Sequence, residues 1–244
     1  MAESDGIPRL IHYCWFGRGE KPKKIIKCMK SWQRHLGDYQ IMEWNEDNFD
    51  IHSNVYVKQA YEAKKYAFVS DYVRLYALYH HGGIYMDTDV EVIKPLDRFL
   101  HHGAFSGFED EVYLQSGTMG AVREHPWIKE LMNHYHDSRF VLSDGTLDMT
   151  TNTAMMTNKC GKYGLQLNGQ YQVLNNGVTF YPRTFFSPYD YINGGNYLTD
   201  ESYTIHHFAK SWLPAHVRLR GEFKKTIGRY IGPRFVATMR TIFK

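Results

Sequence analysis

The sequence predicts an α/β domain built on a mixed, mostly parallel sheet. Three observations carry that expectation. Residues 10–44 read as strand, helix, strand, and a short β-α-β opening of this kind joins parallel strands. A helical stripe from Tyr66 to His81 stops at Gly82-Gly83 and feeds directly into an apolar, β-favouring stretch, Ile84 to Ile93. Downstream, short strand-like runs are separated by turns and one further amphipathic helix.

Taken in order, Leu10 to Phe16 reads as the first buried strand and Gly17-Arg18-Gly19 as the loop closing it. Pro22 suits a helix start, and Ile25, Ile26, Met29 and Trp32 keep helical spacing to about His35. Tyr39 to Trp44 alternates as a second strand, and Asn45 to Asn54 is polar loop. Val55 to about Lys65 reads as a short helix. In the helix from Tyr66 to His81, Val69, Tyr72, Val73, Tyr76, Ala77 and His80 share one face. Ile84 to Ile93 follows as one strand, then a turn with a short helix over Pro95 to Leu100. Ala104 to Phe108, Val112 to Gln115 and Thr118 to Val122 are strand candidates. His125-Pro126 opens a helix to about His136, and Asp148 to Asn158 reads as helical. Val173-Leu174, Val178 to Tyr181 and Tyr203 to Phe208 are late strands, with an aromatic, Pro- and Gly-rich loop over Pro182 to Asn196. Residues 1–213 form the expected domain; residues 214–244 form a basic helical tail, broken at Gly228 and Gly232-Pro233.

The 244 residues are 43% hydrophobic and 23% charged, ordinary for a soluble globular chain. Aromatic residues reach 16%, a composition suited to stacking on bases and sugars as well as to filling a core. A net charge of +3 is too small to imply nucleic acid. Its distribution is uneven: Arg218, Arg220, Lys224, Lys225, Arg229, Arg234, Arg240 and Lys244 face Glu222 alone after Pro214. Basic residues among Val217, Leu219, Phe223, Ile227, Tyr230 and Ile231 suit an anionic membrane surface, or a helix packed on the domain. Cys14, Cys28 and Cys160 are odd in number and lack CxxC spacing, as expected of reduced thiols in a cytosolic protein. No signal-peptide core and no membrane-span run occurs. The expected location is cytoplasmic, peripheral on the inner face of the plasma membrane.

The chemistry centres on Asp87-Thr88-Asp89. In an extended chain, residues i and i+2 share a face, so the two carboxylates converge on one small volume. Two such anions repel unless a cation sits between them, and hard oxygen ligands favour Mg²⁺ or Mn²⁺ with places left for phosphate oxygens. Upstream, Asp71 and Arg74 are three residues apart on one helical face. Spacing alone allows a surface ion pair; near the aspartates, the pair would grip ligand hydroxyls, and Arg74 could neutralise a phosphate. Trp15 ends the first strand, where ligands of α/β sheets bind, and could stack on a base or sit in the core. In His206-His207-Phe208-Ala209-Lys210-Ser211-Trp212, an imidazole can complete a site begun by two carboxylates, and Lys210 can meet a phosphate.

Read together, Ile11 to Gly17, Ser70-Asp71-Tyr72-Val73-Arg74, Gly82 to Asp89 and His206 to Trp212 resemble the DXD-containing sugar transferases of glycosyltransferase family 32. That family includes initiating mannosyltransferases, capsular polysaccharide transferases and, distantly, the glucosylating domains of clostridial toxins. The likeness spans roughly residues 7–213. It implies a Rossmann-like GT-A fold, a divalent metal, a nucleotide-sugar donor and retention of anomeric configuration. By the same resemblance, Trp15 stacks on the base, and Ser70, Asp71 and Arg74 hold the donor sugar, with Tyr66 and Tyr85 lining its pocket. Asp87 contacts ribose or sugar, and Asp89 ligates metal and reaches the diphosphate. His207 is the first choice of closing ligand and His206 the alternative. Lys210, Ser211 and Trp212 close over the donor, although Lys210 stands where many members carry Gly. Arg74, Asp87 and Asp89 form the expected catalytic set.

These readings predict a metal-dependent retaining hexosyltransferase, with Mn²⁺ or Mg²⁺ and a UDP-hexose favoured, in bacterial capsule or surface-polysaccharide synthesis. Its acceptor would be a saccharide or a lipid-linked saccharide. Two rivals stand beside it: a metal-dependent phosphoesterase, and a non-catalytic sugar- or membrane-binding module on the same fold. No covalent nucleophile stands out, so same-face attack is favoured; a carboxylate or amide from the Asp148 to Asn152 region is the alternative.

Overall fold

A computed structural model describes residues 6–190 and 194–208. The opening is β1 (Leu10–Cys14), α1 (Lys23–His35) and β2 (Gln40–Trp44), as the hydrophobic pattern predicts. Next come α2 (Val55–Glu62) and α3 (Tyr66–His81), followed by β3 (Gly83–Met86) and β4 (Val90–Val92). The remainder comprises β5 (Ala104–Phe108), β6 (Leu114–Ala121), α4 (Pro126–Asn133), α5 (Asn152–Cys160), β7 (Gln172–Val173), β8 (Thr179–Tyr181), α6 (Arg183–Phe186) and β9 (Thr204–His206).

Seven strands form one sheet in the order β2-β1-β3-β6-β5-β8-β7, and β4 pairs with β9 in a second, two-stranded sheet. The α/β class and the mixed sheet are as expected. Parallel pairing is less dominant than expected. β1 runs parallel to β2 and β3, and β5 to β8, while β6 is antiparallel to β3 and β5, and β7 to β8. A single long strand, β6, causes this: the two candidates at 112–115 and 118–122 are one element that enters between β3 and β5. As a result β1, β2, β3, β5 and β8 all point the same way, and their carboxyl ends share one edge.

Residues on the two sheet faces divide cleanly. On β3, Ile84 and Met86 join a core with Trp32, Phe99 and Phe105, whereas Tyr85 joins the larger core beneath α2, α3, α4 and α5. Period-two alternation produces this split. Gly82 and Gly83 make the junction between α3 and β3 at φ values of +65° and +105°. A Cβ on Gly83 would stand 2.4 Å from the Leu10 carbonyl oxygen, so a side chain there would push β3 off β1.

The stretch from Ile84 to Ile93 is not one strand. β3 stops at Met86, a turn closes with the Val90 amide donating to the Asp87 carbonyl at 3.0 Å, and β4 leaves for β9. α1 holds β4 in that place: Trp32 Nε1 donates to the Val90 carbonyl, and Ser31 Oγ accepts from the Val92 amide, each at 2.8 Å. Asp87 and Asp89 therefore converge through a turn, not through the pleat of an extended chain. Other boundaries move modestly. Thr151 caps α5, so the helix begins at Asn152 and not at 148, and Pro182 to Asn196 contains the short helix α6.

Candidate active site

The site lies at the carboxyl ends of β1 and β3. Asp87 leaves β3 with its amide donating to the Gly117 carbonyl of β6 at 2.8 Å. Its Oδ1 accepts from the Tyr85 hydroxyl at 2.9 Å and lies 3.4 Å from Arg74 Nη1. Asp89 ends the turn, and its Oδ1 lies 3.2 Å from His206 Nε2, which is also 3.8 Å from Asp87 Oδ2. The pairing of β4 with β9 brings this histidine in, placing Val90 opposite His206.

His207 points elsewhere. Its Nε2 meets Glu91 Oε2 at 2.8 Å, while its amide donates to the Asp89 carbonyl. The expectation that His207 would join the aspartates is corrected to His206. The extended chain at the end of β9 explains it: adjacent residues face opposite sides, His207 is the first residue past the strand, and the register with β4 decides which one faces the carboxylates.

Asp87, Asp89 and His206 each offer one ligand atom, all within 4.8 Å of one another. Two carboxylate oxygens and an imidazole nitrogen suit a hard or borderline divalent cation such as Mg²⁺ or Mn²⁺. The electrostatics agree. Burial alone would depress the His206 pKa, yet Asp89 first and Asp87 next pull it up to about 9. The two carboxylates thus favour positive charge at this position. The buried Nδ1 of His206 has no hydrogen-bond partner.

Gly117 is a site residue that the sequence reading missed. A Cβ there would stand 2.9 Å from His206 Cε1 and Nδ1 and 3.2 Å from Asp87 Oδ2. Those separations are too short for any side chain to share the space unless the cluster moves. A lone Gly in Gln115-Ser116-Gly117-Thr118 gives no signal of this without the register of β6 against β3.

Beneath the aspartates lies Arg74, only 4% exposed. Its Nη2 donates to Asp71 at 2.8 Å, its Nη1 to the Ser116 carbonyl at 2.8 Å and hydroxyl at 3.1 Å, and its Nε to the Ser70 carbonyl at 3.2 Å. Its guanidinium carbon sits 4.6 Å from the Tyr85 ring centroid. The surface-pair alternative is thereby excluded: Arg74 is a buried hub that ties Asp71, Asp87 and β6 together. Burial pushes the Asp71 carboxyl up to about 6 despite Arg74, with Asp87 adding to the rise. Asn152, at the start of α5, donates to the Asp71 carbonyl at 3.4 Å, and its buried Oδ1 lacks a partner. From the Asp148 to Asn152 region it is the amide that reaches Asp71.

Trp15 is half-buried at the end of β1. Its Nε1 donates to the Gly19 carbonyl at 2.6 Å, and Lys21 Nζ lies 5.3 Å from its ring. The Tyr66 ring lies over the Gly17 backbone, so both rings stand at the same edge. Ser70 Oγ donates back to the Tyr66 carbonyl at 3.0 Å. Lys210, Ser211, Trp212 and the tail lie outside the described residues.

A glycosyltransferase sugar-binding region containing DXD motif matches residues 22–106, which hold Ser70, Asp71, Arg74, Tyr85, Asp87 and Asp89. Among curated proteins, inositol phosphoceramide mannosyltransferase 3 of Schizosaccharomyces pombe is 28% identical over 136 residues, 54% of this chain and 38% of that protein. Inositol phosphoceramide mannosyltransferase 1 of the same yeast is 25% identical over 203 residues, 76% of this chain and 61% of that protein. These alignments thus span from about two fifths to three fifths of the relatives' own length. Among solved structures, a glycosyltransferase involved in glycosylating the major capsid of PBCV-1 overlaps at a TM-score of 0.47 and 10% identity, covering 88% of this chain and 100% of that one. A galactosyltransferase solved with donor and acceptor sugar analogues overlaps at 0.46 and 11%, covering 91% and 96%. Such distant overlaps give no residue correspondence. The match falls on the stretch through which the sequence resembles the DXD-containing sugar transferases.

Proposed function

We propose that the protein is a metal-dependent, retaining glycosyltransferase that moves a hexose from a nucleotide-sugar to a saccharide or lipid-linked acceptor. The observation that carries the reading is the convergence of Asp87, Asp89 and His206 beside the Asp71–Arg74 hub. Asp89, Asp87 and His206 would hold Mn²⁺ or Mg²⁺, which when bound neutralises the diphosphate as the leaving group develops charge. Arg74 orients Asp71 and Asp87, donating to the first at 2.8 Å and lying 3.4 Å from the second. Asp71 accepts hydroxyls of the donor sugar, and Asn152 steadies Asp71 from α5. Trp15 and Tyr66 provide rings at the strand edge for the base, worth roughly 1–3 kcal/mol for a stacked base.

A UDP-hexose is the favoured donor. The names of the yeast relatives favour a lipid-borne acceptor over a free saccharide. A bacterial surface-polysaccharide setting belongs to the same proposal. Contact of residues 214–244 with an anionic membrane belongs to the same proposal, as does a cytoplasmic location. Among the described residues no helix is long and apolar enough to cross a membrane. The phosphoesterase alternative is disfavoured because the described residues hold a single three-ligand cluster.

The test is Mn²⁺-dependent sugar release and transfer across UDP- and GDP-hexoses, with and without anionic vesicles. One donor should turn over, and Asp89→Ala should lower turnover by roughly 10²–10³-fold, the scale of losing a group that stabilises developing charge. No turnover with any donor, or an unaffected Asp89→Ala, would sink the reading.

A further inference from the structure

The carboxyl ends of β5 and β8 lie on the same sheet edge as Trp15 and Asp87, but on the far side of β6. Glu109 follows β5 and Arg183 follows β8 at the start of α6. Two strand spacings, about 10 Å, separate β3 from β5, and the parallel register of Gly107 with Tyr181 carries Glu109 and Arg183 out side by side, roughly one strand apart. Neither residue takes part in the metal cluster or in the Asp71–Arg74 hub.

Both are ionisable and half-buried, and among the described residues neither side chain makes a hydrogen bond or an ion pair. Among the described residues the Glu109 carboxylate makes no hydrogen bond or ion pair, and its amide alone is used, donating to the Tyr113 carbonyl at 2.9 Å. The Arg183 Nε is buried without a partner, and its guanidinium carbon lies 4.6 Å from the Tyr197 ring centroid. Tyr197 is 46% exposed. Burial raises the Glu109 pKa, while His206 and Arg183 lower it and Asp110 and Asp87 add to the rise, so its field reaches both the metal cluster and Arg183. Partial burial of unpaired charged groups costs stability unless a polar ligand completes them. An accepting carboxylate, a donating guanidinium and a partly exposed aromatic ring are the three elements that recognise a ring carrying several hydroxyls.

We propose that Glu109, Arg183 and Tyr197 form a polyol subsite that seats the acceptor ring, a sugar or a cyclitol. Glu109 accepts hydrogen bonds from ring hydroxyls, Arg183 donates to ring oxygens, and Tyr197 packs on the apolar face. Glu109 is the member nearer the metal cluster, so it orients the hydroxyl that is to be glycosylated. The assignment of this ring as acceptor rests on the proposed sugar transfer; the binding of a polyol here does not.

Saturation-transfer NMR on the full chain tests it, with the methyl α-glycosides of mannose, glucose and galactose and with myo-inositol as probes. At least one probe should bind wild type and Asp89→Ala alike. Glu109→Gln and Arg183→Lys should each weaken that binding about tenfold, the loss expected for one charged hydrogen bond, with Mn²⁺ affinity and thermal unfolding unchanged. The conservative lysine keeps the charge, so a weakened probe reports lost geometry and not a lost fold. No probe binding to wild type, equal binding by both variants, or loss of probe binding in Asp89→Ala would overturn the subsite. Failure of wild type to bind Mn²⁺ would instead sink the transferase reading and leave the polyol result standing.

Discussion

The two halves of the ligand edge treat charge in opposite ways. At the ends of β1 and β3, every charged group in the hub has a partner: Arg74 spans Asp71, Asp87 and the Ser116 backbone, and His206 lies between Asp87 and Asp89. At the ends of β5 and β8, the Glu109 carboxylate has no hydrogen-bond or ion-pair partner among the described residues, and Arg183 meets only the Tyr197 ring. Preorganised partners hold a geometry that must not relax during bond cleavage. Unpaired groups leave their hydrogen-bonding capacity to an incoming molecule. The difference separates a half that prepares chemistry from one that receives a ligand.

Removing the hub should have the largest effect. Arg74→Met removes a buried cation from the half-buried Asp71 and Asp87 and strips Asp71 of its ion-pair partner, and should cost about 3–5 kcal/mol of stability in denaturant unfolding. A loss below about 1 kcal/mol would mean that the first half is no more preorganised than the second. By contrast, Arg183→Lys should leave the unfolding midpoint where it is.

A smaller effect is expected at Gly117. Gly117→Ala crowds His206 and Asp87 without removing a ligand, and Mn²⁺ affinity by calorimetry should fall about 10–100-fold, the range for disturbing groups that orient metal ligands. Gly161→Ala, where an added Cβ meets nothing within 4 Å, serves as the control. Unchanged affinity in Gly117→Ala would show that the cluster tolerates a shift.

The smallest effect is a displacement in pH. Asp71 titrates near about 6 in the folded protein, raised from 3.8 chiefly by burial. Because its folded pKa is raised, its protonation favours the fold at low pH, and that contribution is lost as pH rises through about 6. Hydroxyl recognition needs the ionised form, so turnover should fall as pH drops through the same region. Asn152 lowers this pKa by hydrogen bonding, so Asn152→Ala should move the acid limb upward. A downward shift would contradict the contact.

Much of the first half was legible in the sequence. The spacing of Asp71 and Arg74, the glycine stop before β3 and the pair Asp87 and Asp89 are local features, within a helical turn or a short turn of chain. Local periodicity also yielded β1, α1, β2 and α3. The strand through Asp87 and Asp89 was misread because β propensity continues across the turn, and the chain is drawn away by the Trp32 bond to the Val90 carbonyl, the Val92 amide's bond to Ser31 and the pairing of β4 with β9. The second half was hardly legible, since Glu109, Arg183 and Tyr197 are far apart in sequence and carry no motif.

By itself, then, the sequence determined the α/β class, the acidic pair and the shared helical face of Asp71 and Arg74, since side-chain spacing along one element sets those. Tertiary structure alone decided that His206 and not His207 faces the carboxylates, that Gly117 must lack a Cβ, and that β6 divides the edge. Each of these depends on register between strands distant in sequence, and a slip of one residue there turns every side chain to the other face.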